Sequence, residues 1–324
     1  MDYETDYDPE EEYIPLVKAR ARRKVQAAQQ KKSRPTRKTS YEASADVQRW
    51  LREQALEDEG FTSSFNPTFL ASQRDSPWIL SSLSKFYEED LITDVLHSVK
   101  SGKEASVYCC AASPRTGAKY LAAKVYRPRM FRSLKNDAVY RLGRVIRDDD
   151  GQVARGSRHW VGAAKNERGR AAQVSSWIGY EFETLHRVYE AGARVPRPLL
   201  QIGNAILMEY IGDVNDPAPL LREVALEREE AQPLFEEVMH NIERCLACDR
   251  IHGDLSEYNI LYWDGTVTLI DFAQAVDPSH NPNVFALLLR DIERVCRYFA
   301  RYGVEADAQA LASDLWRRYL YGGM

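Results

Sequence analysis

The most informative stretch of this chain of 324 residues is His252-Gly253-Asp254-Leu255-Ser256-Glu257-Tyr258-Asn259, with Asp271 twelve residues beyond its end. It sets a carboxylate, an amide and a second carboxylate in one short region. Carboxylate and amide oxygens are ligands that Mg²⁺ prefers, and a carboxylate can also orient an attacking hydroxyl and accept its proton. We therefore predict a phosphate-transfer site in which Asp254 is the base and Asn259 and Asp271 ligate Mg²⁺.

The segment between Asn259 and Asp271 predicts a β-hairpin. Two short strand-like runs, Ile260–Trp263 and Thr266–Ile270, flank Asp264-Gly265, a dipeptide that favours a two-residue turn. Such a hairpin would bring Asn259 and Asp271 side by side at its open end. The alternative is that His-Gly-Asp forms an ordinary turn and Asp271 caps a helix, but the spacing disfavours it.

The composition describes a globular chain with charged terminal blocks. A hydrophobic content of 44% supports one large or two smaller domains. The formal net charge of −4 is a sum in which acidic and basic blocks of the chain offset each other. The first twelve residues carry seven acids, whereas Lys18–Lys38 contains ten Lys or Arg and no acid. Such a basic block is typical of a solvated arm or a helix that binds polyanions, the alternative being a charged tail kept for solubility.

The five cysteines suggest no disulfide framework. Cys245 and Cys248 form a C-x-x-C motif inside Phe235–Arg250, where apolar residues follow helical spacing, so we interpret them as core residues and not as zinc ligands or a redox pair. No apolar run is long enough to span a bilayer, and the acidic N-terminus is unlike a signal peptide. We expect no membrane association and a reducing, cytoplasmic location.

The chain is predicted to consist of an extension and two lobes. Residues 1–75 carry the charged blocks and predict a largely disordered extension, residues 76–212 a β-rich lobe, and residues 213–324 a helical lobe. The first lobe contains a long basic insertion, Pro128–Ser176, which lacks sustained periodicity. Strands are predicted at His97–Lys100, Ala105–Cys110, Tyr120–Tyr126, Leu199–Gly203 and Ala205–Tyr210, and helices at Trp78–Asp90, Gln173–Ala191, Pro217–Leu226, Ala231–Arg250, Asn283–Arg301 and Ala306–Tyr321. This order predicts an α+β fold with a cleft between the lobes.

Two segments of the first lobe have features of a nucleotide site. Ser101-Gly102-Lys103-Glu104-Ala105 lies between the first two strands, and its small residues would let backbone N–H groups approach phosphate oxygens. Its single glycine matches neither G-x-G-x-x-G nor the Walker pattern, so an ordinary turn is the alternative. Lys124 lies in an otherwise apolar strand, where a lysine is costly to bury without anionic partners. We predict that it pairs with Glu181 and contacts nucleotide phosphates, the alternative being an edge-strand lysine that points at water.

The strand that contains Leu207-Met208-Glu209-Tyr210-Ile211-Gly212 is expected to end near its glycine. This pattern is typical of a linker between two lobes. Backbone groups of Glu209 and Ile211 would hydrogen-bond an adenine edge. Met208, which is soft and adaptable, would line the back of that pocket.

Together these segments resemble the RIO family of atypical serine/threonine protein kinases, and within it the RIO1-like branch. The resemblance extends from about Lys85 to Val304. It rests on Ser101–Tyr108, Lys124, Glu181-Phe182, Met208–Gly212, His252–Asn259, Ile270-Asp271 with Gln274, and Leu288–Asp291. It implies a bilobal protein-kinase-like fold in a reduced form, without an activation segment or substrate-docking helices. The absence of Ala-Pro-Glu after Asp271 agrees with this expectation.

The resemblance also implies a non-specific serine/threonine protein kinase with ATPase activity. ATP would be the substrate and Mg²⁺ or Mn²⁺ the metal, with Lys124, Asp254 and Asp271 as catalytic residues. Asp271 would be transiently phosphorylated in an ATPase switch. The implied ATP-binding residues are Ser101, Gly102, Lys103, Glu104, Ala105, Val107, Lys124, Glu181, Met208, Glu209 and Ile211. The resemblance implies a precursor of the small ribosomal subunit as the partner. The positive charge of Lys18–Lys38 and Pro128–Ser176 separately predicts that these segments bind that precursor or RNA.

Three features depart from the family pattern. They are the long basic insertion, Phe272-Ala273 directly after Asp271, and an N-terminal arm without a counterpart. One alternative function, which does not depend on these departures, is a ribosome-assembly ATPase or RNA-binding factor with little activity on protein substrates. Another is a small-molecule phosphotransferase of the aminoglycoside or choline kinase type, which Ser101–Ala105 and the short C-terminal part argue against. A catalytically dead scaffold is disfavoured because the lysine, both aspartates and the asparagine are all present.

Overall fold

A computed structural model describes residues 65–71, 77–102, 104–126, 167–280 and 283–322, all of which lie in the compact unit Glu59–Met324. The basic arm Lys18–Lys38, Lys103 and most of Pro128–Ser176 lie outside the described residues. Within this description, no helix is both long and apolar enough to cross a membrane.

The first lobe is built on one antiparallel sheet of five strands in the spatial order β1-β2-β3-β5-β4. The strands are β1 Ile92–Ser101, β2 Ala105–Ala112, β3 Tyr120–Tyr126, β4 Pro198–Ile202 and β5 Ala205–Glu209. All five were predicted, and β3 begins and ends at the predicted residues. Because β3 lies between β2 and β5, its apolar side chains are buried on both faces of the sheet.

The first strand is longer than predicted, because irregular pairing hides its start in the sequence. Its register with β2 shifts between Ile92 and Asp94, between Val95 and His97, and again between Ser98 and Lys100. Each bulge resets the alternation of inward and outward side chains, so the expected period of two is lost. Only the end of the strand therefore carried a readable pattern.

Helices make up most of the second lobe. The helices of the described chain are α1 Thr68–Ala71, α2 Pro77–Glu88, α3 Glu167–Glu190, α4 Arg228–Ala247, α5 Val284–Ala300 and α6 Ala308–Leu320. Two small hairpins complete the fold, β6 Gly212–Asp213 with β7 Asp216–Pro217, and β8 Ile260–Trp263 with β9 Thr266–Leu269. Trp263 pairs with Thr266 around Asp264-Gly265, which confirms the predicted turn. The result is the expected bilobal, α+β, kinase-like fold.

The core of the helical lobe forms where α4 and α5 pack together. Phe235 of α4 and Phe299 of α5 lie with their ring centroids 5.6 Å apart. Fully burying a side chain such as Leu246 contributes about 1.5–3 kcal/mol, so a contiguous cluster of this kind stabilises the lobe. Cys245 belongs to the same cluster, and burial raises the pKa of its thiol. The C-x-x-C cysteine is thus a core residue.

The predicted helix Pro217–Leu226 is wrong. Pro217 pairs in β7, Leu220 forms a bridge to Leu261, and only Leu221–Glu223 makes a short 3₁₀ turn. The backbone groups find partners outside the segment: the carbonyl of Pro219 accepts from the Tyr262 N–H at 3.0 Å. These backbone pairings dock the segment on β8.

Residues 65–71, which the sequence placed in the N-terminal extension, pack against the first lobe. The backbone N–H and the hydroxyl of Thr68 both donate to the Asp94 carboxylate at 2.9 Å, and Phe65 stacks on Tyr87. A boundary at residue 76 therefore does not separate this short segment from the sheet.

Candidate active site

The backbone of the loop that carries Asp254 is held by hydrogen bonds to two side chains, those of Asn259 and Asp291. Asn259 donates through Nδ2 to the Asp254 carbonyl at 2.9 Å, and Gly253 adopts a positive φ of 77°. The N–H groups on both sides of Asp254, those of Gly253 and Leu255, donate to the two carboxylate oxygens of Asp291 at 2.7 and 3.1 Å. The Asp254 side chain itself is 50% exposed. It is thus a solvent-accessible carboxylate on a fixed backbone.

Asp291 is the anchor of this loop, and sequence analysis quoted it only as part of a motif. It lies on α5, is 2% exposed, and burial raises the pKa of its carboxyl to about 7 although two N–H groups donate to it. The arginine before it, Arg290, donates to the Gly253 carbonyl. The only signal in the sequence was a charged pair inside an otherwise apolar helix face.

With Asp254 in its predicted role as the base of phosphate transfer, replacing Asp291 by alanine should lower kcat for that reaction about a hundredfold, because the backbone on both sides of Asp254 loses its anchor. It should also lower the free energy of unfolding by about 1–3 kcal/mol for each buried N–H left unpaired. Steady-state kinetics and chemical denaturation measure the two effects. Wild-type kcat in a folded Asp291→Ala variant would show that the loop holds its shape without this anchor.

Asp291 also predicts a pH dependence of stability. Because its carboxyl pKa rises on folding from 3.8 to about 7, the folded state favours the protonated form. The stability that the protonated carboxyl of Asp291 contributes is fully present below the pKa of the unfolded state. It is lost as the pH rises through the pKa of the folded state. The difference in unfolding free energy between wild type and Asp291→Asn should therefore fall from pH 4 to pH 7 and stay level above it.

The predicted metal ligands meet at the open end of the β8–β9 hairpin. The Ile270 N–H donates to the Asn259 carbonyl at 3.0 Å, so Asp271 follows directly on the residue paired with Asn259. His252 adds a hydrogen bond between its Nε2 and the Ile270 carbonyl at 3.0 Å, and burial lowers the pKa of its ring. Asp271 has a left-handed backbone, φ 69°, which aspartate tolerates better than most residues. The structure therefore brings Asn259 and Asp271 together.

Lys124 joins the two lobes at this point. Its Nζ lies 2.6 Å from Glu181 Oε1 and 2.9 Å from Asp271 Oδ1. Glu181, on α3, is 4% exposed and also accepts from the Tyr126 hydroxyl. Because β3 is an internal strand, the alternative of an edge-strand lysine is wrong.

The electrostatics of this cluster follow from burial and from the close charges. Burial lowers the pKa of Lys124, but the carboxylates of Asp271 and Glu181 outweigh it and hold the pKa well above the ordinary value. The charge of Lys124 lowers the pKa of Asp271, which keeps that carboxylate ionised. Burial raises the pKa of Glu181 in spite of the lysine. The cluster is therefore a charged lysine between two acids, of which Asp271 faces the solvent.

The predicted phosphate loop is a tight turn between β1 and β2. The Gly102 N–H donates to the Ala105 carbonyl at 2.9 Å, and a Cβ on Gly102 would lie 3.0 Å from that oxygen. A side chain at this position would therefore disturb the turn. Ser101 and Glu104 are exposed, and Lys103 lies outside the described residues. Val107 of β2 lies directly opposite Lys124 of β3, so the turn leads into the strand next to the lysine.

The predicted linker residues lie between the two lobes. Met208 is half-buried and packs against the cores of both. The Glu209 carboxylate accepts from the Arg197 N–H at 3.1 Å, and the Ile211 carbonyl already accepts from the Ala218 N–H at 3.1 Å. An adenine contact at Ile211 would therefore use its N–H group. A cavity of about 520 Å³ borders Glu209 but includes none of the other predicted ATP-binding residues.

Sequence analysis missed one charged residue of the site altogether. Arg294 of α5 places its Nη1 2.8 Å from Asp254 Oδ1. Nothing in the sequence pointed to this contact, because α5 lies far along the chain from the Asp254 loop. Four arginines at spacings of four, three and four residues (Arg290, Arg294, Arg297 and Arg301) marked only a basic helix face.

The first lobe is rich in β-strands and carries the ion pair of Lys124 with Glu181. The second lobe is helical and carries the Asp254 loop and the β8–β9 hairpin, whose open end bears the predicted metal ligands. Together the two lobes define a protein-kinase-like fold. Comparison with known families specifies it further. The model of the RIO domain matches residues 107–311, well over half of the chain. The chain therefore belongs to the RIO family, and its similarity to RIO1-type serine/threonine kinases places it in the RIO1-like branch.

Individual relatives agree with this assignment. The RIO-type serine/threonine-protein kinase Rio1 of Haloferax volcanii is 40% identical over 138 residues, 43% of this chain and 47% of the relative. The human serine/threonine-protein kinase RIO1 is 30% identical over 223 residues, 68% of this chain and 36% of the relative. This chain thus spans less than half the length of either.

Among solved structures, the Rio2 kinase from Chaetomium thermophilum superimposes with a TM-score of 0.51, covering 83% of this chain and 86% of that one. Its sequence is only 19% identical, so the likeness concerns the fold alone.

Proposed function

We propose that this protein is an ATP- and Mg²⁺-dependent serine/threonine protein kinase of the RIO type. It phosphorylates itself and works mainly as an ATPase switch. The observation that carries the proposal is the contact of Lys124 with both Glu181 and Asp271. This contact links Lys124, a side chain that can bind phosphates, with the hairpin that bears the proposed oxygen ligands of the metal.

The donor set of the hairpin fits a hard divalent cation. Asp271 is held ionised by Lys124, and Asn259 commits its Nδ2 to the Asp254 carbonyl, which leaves the amide oxygen as its ligand atom. These two oxygens would hold Mg²⁺ or Mn²⁺, which would neutralise charge on the phosphates.

The residues of the chain have separable roles in this proposal. The turn Ser101–Ala105 covers the phosphates with its backbone N–H groups, and Lys124 orients them. Glu209 and Ile211 bind the adenine edge through the backbone, and Met208 packs behind it. Asp254 orients the attacking hydroxyl and accepts its proton, a role that its half-exposed side chain on a fixed backbone supports.

The test is a turnover assay with ATP labelled at the γ-phosphate, which separates free phosphate, phosphoprotein and acyl phosphate. An ATPase switch releases mostly free phosphate and forms a label on Asp271 that hydroxylamine removes. This label should vanish in Asp271→Ala and persist in the control variant Asp314→Ala. Asp314 lies on the distant helix α6, where it pairs with Arg317 and Arg318. Label that resists hydroxylamine but is lost in alkali would identify phosphoserine or phosphothreonine instead. Absence of all three products would refute the proposal.

A role on ribosomal precursors is the second candidate, in which the chain is an assembly ATPase that binds RNA and has little protein substrate. It is favoured by the basic block Lys18–Lys38, and the insertion Pro128–Ser176 adds further positive charge. We place this activity in the cytoplasm, since all five cysteines are free thiols. A small-molecule phosphotransferase is a weaker candidate, because the chain belongs to the RIO family.

Removing residues 1–40 should weaken the binding of ribosomal RNA and flatten its dependence on salt, because the basic arm no longer neutralises phosphates and releases their counterions. The slope of log affinity against log salt should fall by about 0.7 for each phosphate that the arm neutralises on single-stranded RNA. Filter binding at several salt concentrations measures it, with ATP turnover as the control that should not change. Equal RNA affinity of the full and shortened chains would show that the arm does not bind RNA. The RNA-binding hypothesis would then rest on the insertion alone.

A further inference from the structure

Among the described residues, Arg294 is the cation in contact with the Asp254 carboxylate. Its Nη1 donates to Oδ1 at 2.8 Å, and its side chain is 32% exposed while that of Asp254 is 50% exposed. Both side chains of the ion pair are therefore partly exposed to solvent.

The position of Arg294 is fixed by the way α5 lies along the Asp254 loop. One turn before it, Arg290 donates to the Gly253 carbonyl; two turns after it, Arg301 lies 3.5 Å from the Glu257 carboxylate. On its other side α5 buries a row of aliphatic residues, among them Ile292 and Val295. Contacts before and after Arg294 thus hold it opposite Asp254, and the pair does not depend on a single surface side chain.

Among the described cations near the Asp254 loop, Arg294 contacts the Asp254 carboxylate, whereas Arg290 donates to the Gly253 carbonyl and Arg301 lies at Glu257. Lys124 is engaged by Glu181 and Asp271. The loop His252–Asn259 contains no lysine or arginine, and burial lowers the pKa of His252, which disfavours its charged form. The transferred phosphoryl group carries charge on three equatorial oxygens, and a cation next to them is a recurrent part of such sites.

We propose that Arg294 is a catalytic residue that contacts the transferred phosphoryl group and stabilises its charge in the transition state. The inference rests on the proposed function. A guanidinium has five N–H donors in a planar fork, so one can remain on Asp254 while another reaches a phosphoryl oxygen. The attacking oxygen lies about 2.6–3.2 Å from its base and about 3–3.5 Å from phosphorus, distances that a fork of this size spans.

The step conserves atoms and charge. The acceptor oxygen, from a hydroxyl or from water, forms a bond to the γ-phosphorus. The bond from that phosphorus to the bridging oxygen breaks, and its electron pair leaves with ADP. The proton of the acceptor passes to Asp254, which neutralises the carboxylate. Arg294 then loses its counterion while the phosphoryl group is in transit, so its full charge acts on that group.

The experiment compares Arg294→Ala and Arg294→Lys with the matched control Arg297→Ala, an exposed arginine three residues further along the same helix. All are made in the full chain. For each we would measure kcat and KM for ATP, the affinity for ADP, and the affinity for ADP with Mg²⁺ and aluminium fluoride, a mimic of the transferring phosphoryl group. Turnover of Arg294→Ala would also be measured with added methylguanidinium.

We expect Arg294→Ala to lower kcat at least about a hundredfold with little change in KM. The affinity for the aluminium fluoride complex should fall by a similar factor, whereas the affinity for ADP should hold. Methylguanidinium should restore part of the turnover, Arg294→Lys should recover only part of it, and Arg297→Ala should behave as wild type. A purely structural tie between α5 and the loop would not produce the selective loss of the mimic.

Three outcomes would overturn the proposal. Wild-type or higher kcat in Arg294→Ala would make the arginine dispensable or an inhibitory latch on Asp254. A fall in kcat with unchanged affinity for the mimic, or without rescue by methylguanidinium, would make it a positioning residue. If the wild-type chain neither binds ATP nor releases phosphate, the proposed function fails first, and Arg294 has no phosphoryl group to contact.

Discussion

Asp254→Asn should reduce ATP turnover by about two to four orders of magnitude while leaving ATP affinity largely unchanged. The amide keeps the size of the side chain but cannot accept the proton of the attacking group. Binding should persist because the Asp254 side chain is not among the groups assigned to hold the nucleotide. Phosphate release measures turnover, and calorimetric titration with ATP measures affinity.

Asp264→Asn is the matched control for this substitution. Asp264 is an exposed aspartate in the β8–β9 turn with a positive φ of 49°, a conformation that asparagine also tolerates. It should therefore leave both turnover and stability near wild type. An Asp254→Asn variant that keeps more than about a tenth of the wild-type turnover would remove Asp254 from the role of base.

Lys124→Met should abolish measurable turnover and, in addition, lower the free energy of unfolding by about 3–5 kcal/mol. The structure shows a second effect, because Glu181 is 4% exposed and loses the cation that compensates its carboxylate. Thermal unfolding of the nucleotide-free protein measures this part, and the control Lys119→Met, at an exposed lysine before β3, should leave it unchanged.

The pH dependence separates the two effects of Lys124→Met. Burial already raises the pKa of Glu181, and without Lys124 it should rise further. A protonated Glu181 needs no cation, so the stability lost at neutral pH should return as the pH falls. The double variant Lys124→Met/Glu181→Gln should likewise regain stability without regaining turnover. A double variant that regains turnover would show that Lys124 serves the fold and not the phosphates.

The sequence predicted those parts of the fold that depend on neighbours along the chain. The turn Asp264-Gly265 and the alternation on its two sides gave the β8–β9 hairpin, and hence the meeting of Asn259 and Asp271. The apolar run of β3 gave its bounds without error. Local patterns failed where pairing with distant segments replaced local hydrogen bonds. The bulged start of β1 and the segment Pro217–Leu226 are the two examples.

By itself, the sequence determined the residue types of the candidate site and the family, since the chemistry of phosphate transfer fixes a lysine, two aspartates and an asparagine at recognisable spacings. Only the tertiary structure decided which charges surround them. Asp291 beneath the loop and Arg294 beside Asp254 come from α5, which the fold returns to that loop. Electrostatic and hydrogen-bond energies depend on distance in space, and separation along the chain does not encode that distance.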